Sequence, residues 1–364
     1  MKFQNQLVTF AEGNKDFYAL VKDYFAEYTA RKTGNQTINF SKEISFEEKG
    51  RTLHEEYRKE ISRKTGMDIE KFSAAELTTN PLVSWATFAI AGVLVDMILP
   101  ETLIQSIGIY SEIHTIGYGD SASIRIKPRD LFVVSKAGRA KRQGELKRQF
   151  EGQVNIVPEN HQVSVYVDLY RVLAGLESLA DFLAKCIQSI ETEVTLEAYS
   201  AFSTALGALA TTGDETLKIA GYSADSLVTL GQKVTAYNGG AKAVIVGTKL
   251  ALSKVLPANT NFRYFLDSDY VKVGYLRDFM GFEVIEMPQV ANWKAPFTLA
   301  LKDNELYIVS PSANKLVHVA LGGDTLSYAS GPFDNANLIQ VGTLYKQWGT
   351  AIATNSIAGL ITLG

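Results

Sequence analysis

One apolar stripe constrains this chain more than any other feature. Val172, Leu176, Leu179, Leu183, Ile187, Ile190, Val194, Ala198, Phe202, Ala205 and Leu209 follow one another at steps of three or four residues. That spacing places them all on one face of a helix. No proline interrupts the stripe, and its only glycines, Gly175 and Gly207, lie near the ends. At 1.5 Å per residue the pattern predicts one continuous helix roughly 55 Å long, beyond the usual globular range. So long an apolar face needs other elements laid along it. A coiled coil is the competing reading. The β-rich flanks, and a seam in which Ala, Phe and Val replace Leu, count against it.

The rest of the chain can supply that cover. With 364 residues, 46% of them hydrophobic, it is long enough for one large or two ordinary domains around a sizeable core. Residues 1 to about 80 are polar. The segment FEEKGRTLHEEYRKEISRK at 46–64 alternates acids and bases, as in Glu55 with Lys59 and Glu60 with Lys64. This predicts an exposed helix on an arm with too little apolar surface for a core of its own. Between Pro81 and Pro100 runs LVSWATFAIAGVLVDMIL, shorter than a bilayer span and carrying Asp96. It reads as a buried helix or strand pair, with a fusion or anchor segment as the alternative.

Strand alternation appears at Ser123–Lys127 and again at Val163–Val167. Between them lies a basic stretch with Lys136, Arg139, Lys141, Arg142, Lys147 and Arg148 against only Glu145. Two strands with a charged excursion between them predict a protruding hairpin. After the long helix, residues 213–293 read as an α/β lobe. Its expected elements are a helix at Ala224–Tyr237, a strand at Ala243–Val246, a helix at Lys249–Leu256, a helix around Asp269–Phe279 and a strand at Phe282–Glu286. The remainder is β-rich: Phe297–Leu301, Glu305–Val309, Leu316–Leu321, and strands from Leu338 to Leu363.

Chemistry is sparse. His54-Glu55 opens like a zincin helix, but position 58 is Arg58. His114, His161 and His318 lie in separate segments and read as structural. A single cysteine, Cys186 within the stripe, excludes a disulfide framework and a Cys-based zinc site. Gly117-Tyr118-Gly119-Asp120 reads as a turn, and Gly247-Thr248-Lys249 lacks the spacing of a phosphate loop. Glu191, Glu193 and Glu197 cluster on the long helix without an acid–base partner in sight. No catalytic residue, cofactor or metal is expected. A net charge of −3 argues against a whole-protein hold on nucleic acid, and the basic stretch lacks the interleaved aromatics of a single-strand binder. The start, MKFQNQLVTFAEGNKD, has no apolar core of a signal peptide, so a cytoplasmic, reducing setting is expected.

The order of charged arm, hairpin excursion, very long helix, α/β lobe and β-rich return resembles the tailed-phage major capsid protein of the Hong Kong 97-like fold. Segments similar to one branch of phage coat sequences are Gly138–Gly144, Val167–Gly175, Ser189–Glu193 and Val273–Gly281. The resemblance spans roughly residues 80–364 and implies an α+β fold. It implies an N-terminal arm and lead-in at 1–107 and an extended β-hairpin loop at 108–165. A peripheral domain would combine a spine helix at 166–212 with closing strands at 336–364, beside an axial α/β domain at 213–335. The implied function is structural and not enzymatic: self-assembly as hexamers and pentamers into an icosahedral head around double-stranded DNA, which is contacted non-specifically. An encapsulin-like compartment shell is the alternative.

Implied partners are copies of the chain, a separate scaffolding protein, a portal and decoration proteins, with no membrane; the virion is built in the host cytoplasm. The loop-tip cations Lys136, Arg139, Lys141, Arg142, Lys147 and Arg148 are expected to meet acids on a neighbour, with Glu191, Glu193 and Glu197 as partners. Some relatives crosslink a loop Lys to an Asn. Here Lys136, Lys141 or Lys147 with Asn355 would fill those roles, but no carboxylate to take the lysine proton is recognisable, so no crosslink is expected.

Overall fold

The computed structural model describes residues 15–33, 45–126, 151–167, 169–174, 176–211, 217–256, 273–295, 297–311, 315–330, 340–353 and 356–363. The apolar stripe forms a helix that begins later than its spacing predicts. A short helix α5 (Leu169–Leu173) precedes the long helix α6 (Leu179–Thr211). The first ends at Leu173 and the second begins at Leu179, and Leu176 between them is exposed. Thirty-three residues give about 50 Å. From Leu179 on, the stripe is buried as expected, with Leu183, Ile187, Ile190, Val194, Ala198 and Phe202 nearly inaccessible. Cys186 is buried among them, and that burial pushes its thiol up to about 11.

The segment at 82–99 is a helix. α4 (Pro81–Ile107) is capped by the Asn80 side chain, which accepts from the Leu82 amide at 2.9 Å. It does not stop at Pro100, which removes one backbone donor without ending the helix. By length and apolarity it could cross a bilayer, yet 67% of its most apolar window is buried inside the subunit. It packs against α6 and against three strands of one sheet.

The described N-terminal residues are helical and lie on the rest of the subunit. Helices α1 (Lys15–Thr33) and α2 (Phe46–Thr65) pack on one another and onto α4 and α6. Phe17, Val21, Tyr24 and Phe25 meet Leu53, Tyr57 and Ile61 in the main core. The Tyr57 hydroxyl donates to the Thr87 carbonyl of α4 at 2.5 Å, and the Tyr24 hydroxyl to Asp181 of α6 at 2.8 Å. Buried Lys49 of α2 pairs with Asp23 and Glu27 of α1 at 2.6 and 2.9 Å. The charge pattern at 46–64 hid an apolar face at Leu53, Tyr57 and Ile61. Its surface ion pairs are also not those predicted: Lys59 meets Glu56 and Arg63 meets Glu60, one residue closer. A five-residue helix α3 (Ala74–Thr78) with a reciprocal capping box at Ser73 and Glu76 links this pair to α4.

Two sheets flank α6. The first is built on β14 (Gln340–Ile352). One edge of β14 pairs with β4 (Glu159–Val167). Its other edge pairs with β13 (Leu326–Ala329) and then β12 (Val317–Gly322), all antiparallel. Beyond β12 lies β1 (Ser111–Ile116) in parallel. The second sheet runs β5 (Lys218–Ala220), β15 (Gly359–Thr362), β11 (Glu305–Val309), β6 (Val244–Gly247), β8 (Phe282–Glu286), β7 (Asp278–Phe279). Helices α7 (Ala224–Tyr237) and α8 (Lys249–Ser253) pack on it. The closing strands therefore divide: β14 belongs to one sheet, β15 to the other, and α6 touches both. A helix around Asp269–Phe279 is overturned at its C-terminal end, where β7 turns through Met280-Gly281 into β8; its start lies outside the described residues.

The predicted hairpin partners are also corrected. β2 (Ala122–Ile126) pairs with β3 (Gly152–Ile156), in register from Ala122↔Ile156 to Ile126↔Gly152. Val163–Val167 pairs with β14 instead. Ala122 and Ile156 rest on Ala320 of β12, which roots the strand pair on the first sheet.

One charge sits inside this packing. Asp96 of α4 and Lys346 of β14 form a salt bridge with both side chains 4% exposed. Asp96 also accepts from the Thr325 amide at 2.7 Å and hydroxyl at 2.5 Å. Nearby, a Cβ on Gly342 of β14 would lie 1.9 Å from the Phe88 ring of α4. Lys346→Met should cost about 3–5 kcal/mol, because it leaves a buried carboxylate without its cation. Asp96→Asn combined with Lys346→Met should recover part of that loss. Gly342→Ala should cost about 1–3 kcal/mol through overpacking. Denaturant unfolding of the unassembled subunit measures all three; a Lys346→Met subunit as stable as the wild type would contradict the reading of the pair.

Candidate functional site

Of the predicted acids, Glu193 lines an open cleft of about 970 Å³ between α6, β4 and a small hairpin, whereas Glu191, two residues earlier, projects from nearly the opposite side of the helix. The hairpin pairs β9 (Ala291–Asn292) with β10 (Thr298–Leu299). Three contacts hold it against the subunit. The Tyr199 hydroxyl of α6 donates to the Pro288 carbonyl at 3.0 Å. The Gln289 amide donates to the Leu301 carbonyl at 2.9 Å and to Asp303 at 3.0 Å, while its oxygen accepts from the Leu301 amide at 3.1 Å. Lys294, between the two strands, forms an ion pair with Glu193.

The three acids are not equivalent. Glu193 has Lys294. Glu197 accepts from the Trp348 indole at 2.8 Å, and its other oxygen lies 3.8 Å from His161 Nδ1. His161 stacks on Trp348 at 3.6 Å between ring centroids. Glu191 is half-buried, and that desolvation raises its carboxyl above the ordinary glutamate range. Two of the acids offered to a neighbour's loop are thus already engaged within the subunit. The loop residues Lys136, Arg139, Lys141, Arg142, Lys147 and Arg148, and Asn355, lie outside the described residues.

Trp293 is 83% exposed and Phe297 fully so, with Phe297 at φ 60°. Large apolar side chains held out by a braced hairpin suit contact with another chain. Neither was singled out from the sequence, where Phe297 reads as the start of a strand.

The phosphate-loop candidates resolve into local structure. Gly117–Asp120 closes a turn through the Asp120 amide at 3.2 Å, and Thr248 caps α8 by accepting from the Ala251 amide at 3.3 Å. Sequence reasoning missed a grouping of Glu112, His114 and His318. The parallel register of β1 and β12 brings them together across some two hundred residues of chain.

One long helix shared by two sheets and a braced hairpin tip of exposed aromatics suit a structural protein. Residues 31–362 match the family described as "SPbeta prophage-derived putative capsid protein YonB". The chain belongs to that family. It is a phage capsid protein, a structural component of the virion, with a mixed α and β fold. Among solved structures it is similar to a chain of Microbacterium phage Oxtober96, at TM-score 0.49 and 12% identity over 71% of this chain and 91% of that one. It is also similar to the capsid of a native GTA particle, at 0.48 and 14% over 71% and 90%. The mature capsid of bacteriophage PhiM1 gives 0.45 and 11% over 70% and 85%. No curated protein matches the chain.

Because Trp293 and Phe297 contribute little to the subunit's own core, replacing both with Ser should change its unfolding free energy by less than about 0.5 kcal/mol. Assembly should fall, since burying each ring against a neighbour is worth roughly 1.5–3 kcal/mol. Denaturant unfolding and sedimentation separate the two effects. A large loss of subunit stability would place the rings in the core.

Proposed function

We propose that this chain is the major capsid protein of a tailed phage. It assembles as hexamers and pentamers into an icosahedral head that encloses double-stranded DNA. The observation that carries this reading is the capsid-family match over residues 31–362. The β2–β3 pairing supports its extended-loop part, since the chain enters and leaves the basic stretch at paired residues, Ile126 and Gly152. A separate scaffolding protein, a portal and decoration proteins complete the particle, which is built in the host cytoplasm. DNA is held without sequence preference.

In this reading the loop-tip cations reach a neighbouring subunit and meet acids of α6 that include Glu191, Glu193 and Glu197. Each exposed pair is worth roughly 0.2–1 kcal/mol, too little to join two subunits alone. Repetition around every capsomer multiplies the contact, and complementarity of sign selects which surfaces meet.

Charge reversal of Arg139, Lys141 and Arg142 to Glu should block or misdirect assembly while circular dichroism and melting of the subunit stay nearly unchanged. High salt should weaken wild-type assembly in the same direction by screening. Sedimentation and negative-stain microscopy give the outcome. Normal particles from the triple variant would remove the tip from the interface, and an unfolded subunit would place the loop in the core.

A further inference from the structure

We infer that Glu112, His114 and His318 form a site for one divalent transition-metal ion, zinc by preference, that clips β1 to β12 beside the root of the extended loop. The placement follows from strand geometry. Residues two apart on a strand share a face, so Glu112 and His114 project from the same side of β1. The parallel register sets Glu112 opposite His318 on β12. Three donor groups therefore converge although His114 and His318 are 204 residues apart.

The distances suit a zinc tetrahedron. His114 Nε2 lies 3.0 Å from His318 Nδ1. Glu112 presents one oxygen 3.6 Å from His318 Nδ1 and the other 4.0 Å from His114 Nε2. Ligands at the usual zinc–nitrogen and zinc–oxygen lengths stand about 3.3 Å apart in a tetrahedron. The two rings need to part by a few tenths of an ångström and the exposed Glu112 carboxylate to draw in by about 0.7 Å to admit the ion.

The surroundings of His318 give a second, independent pointer. Its side chain is 5% exposed, and its Nε2 lies 2.7 Å from the Ala353 carbonyl. A carbonyl oxygen only accepts, so Nε2 carries the proton and the neutral ring turns its Nδ1 lone pair toward His114 and Glu112. A histidine with one ring nitrogen fixed by a backbone carbonyl and the other turned to the ligand set is the usual arrangement in metal sites. Here that second nitrogen is hydrogen-bonded to His114 Nε2, a contact the ion would replace. Two imidazoles and one carboxylate favour zinc, nickel or copper over magnesium and calcium, which take oxygen ligands.

The fourth position faces an open cleft of about 280 Å³ lined by Ser123–Ile126 of β2. Water fits there as the fourth ligand. Two cations bear on the site: Arg125 lines the same cleft, and Lys315, whose ammonium donates to the Ile109 carbonyl at 2.7 Å, acts on Glu112. Both weaken the hold on a dication, so Arg125→Ala should tighten it.

The test uses the full chain stripped with a chelator. Equilibrium dialysis against zinc should find one ion per chain, and cobalt in its place should give the visible bands of a tetrahedral site. His114→Ala and Glu112→Gln change partly exposed residues, so the subunit should still fold while zinc affinity drops at least tenfold. His161→Ala, which alters the histidine stacked on Trp348, should bind as the wild type does. Zinc should raise the melting temperature of the wild type and not that of His114→Ala. Well under one zinc per chain, or equal binding by the wild type and His114→Ala, would overturn the site. So would loss of binding in His161→Ala alone.

Discussion

The fold depends on hiding one helix. Pro81–Ile107 is apolar on nearly every side, so no single face can be left to water, and three groups of elements cover it. The N-terminal helices α1 and α2 lie on one flank, α6 lies on another, and β1, β13 and β14 close a third. An apolar cylinder offers no registry of its own, since it can slide or turn without losing much buried area. Asp96 supplies that registry. Its carboxylate is satisfied only where Lys346 and the Thr325 amide and hydroxyl all reach it. Close approach of the Gly342 backbone to the Phe88 ring completes the fit. Hydrophobic burial provides the driving force, and one buried charge selects the arrangement.

What the sequence disclosed follows the same physics. Periodicity that reports a single buried face was readable: the stripe from Leu179 to Phe202, the strand at Val244–Gly247 and the helix at Ala224–Tyr237 all fall close to their expected places. Local signals failed where long-range contact decides. Leu176 keeps the spacing of the stripe, but it falls between the helix that ends at Leu173 and the one that starts at Leu179 and lies in solvent. In α2 the abundance of charge concealed Leu53, Tyr57 and Ile61, three apolar residues at helical spacing that suffice when a partner helix brings Phe17 and Val21. Strand pairing was the least legible. Val163–Val167 alternates as a hairpin strand does, and only tertiary packing assigns it to β14 instead of β2. The approach of His114 to His318 had no local signature at all, because it is a consequence of sheet register.

The surface around α6 shows how a capsid subunit can present contacts without loosening its fold. The hairpin carrying Trp293 and Phe297 is tied down by Tyr199, Gln289 and Lys294, so its aromatic tip is ordered before any neighbour arrives. Preorganisation of this kind removes part of the entropy cost of association. It also explains why acids predicted as free partners are found occupied.

Occupied is not the same as neutralised. Lys294 is three-quarters exposed, so its pair with Glu193 is a surface contact of small net worth that a neighbour's cation can replace at little cost. Glu197 accepts from an uncharged indole, which orients the carboxylate without cancelling its charge. Glu191 is half-buried with its carboxyl raised, so an arriving guanidinium would gain an ion pair and relieve a desolvated acid together. The three acids thus differ in what a basic loop would gain from each. Exchange at Glu193 is nearly neutral, attraction to Glu197 acts from a distance, and contact with Glu191 carries the largest change in desolvation. Glu191 and Glu193 stand about 160° apart around α6, so a loop that gains the desolvation at Glu191 docks on a different flank of the helix from one that meets Glu193 and Glu197.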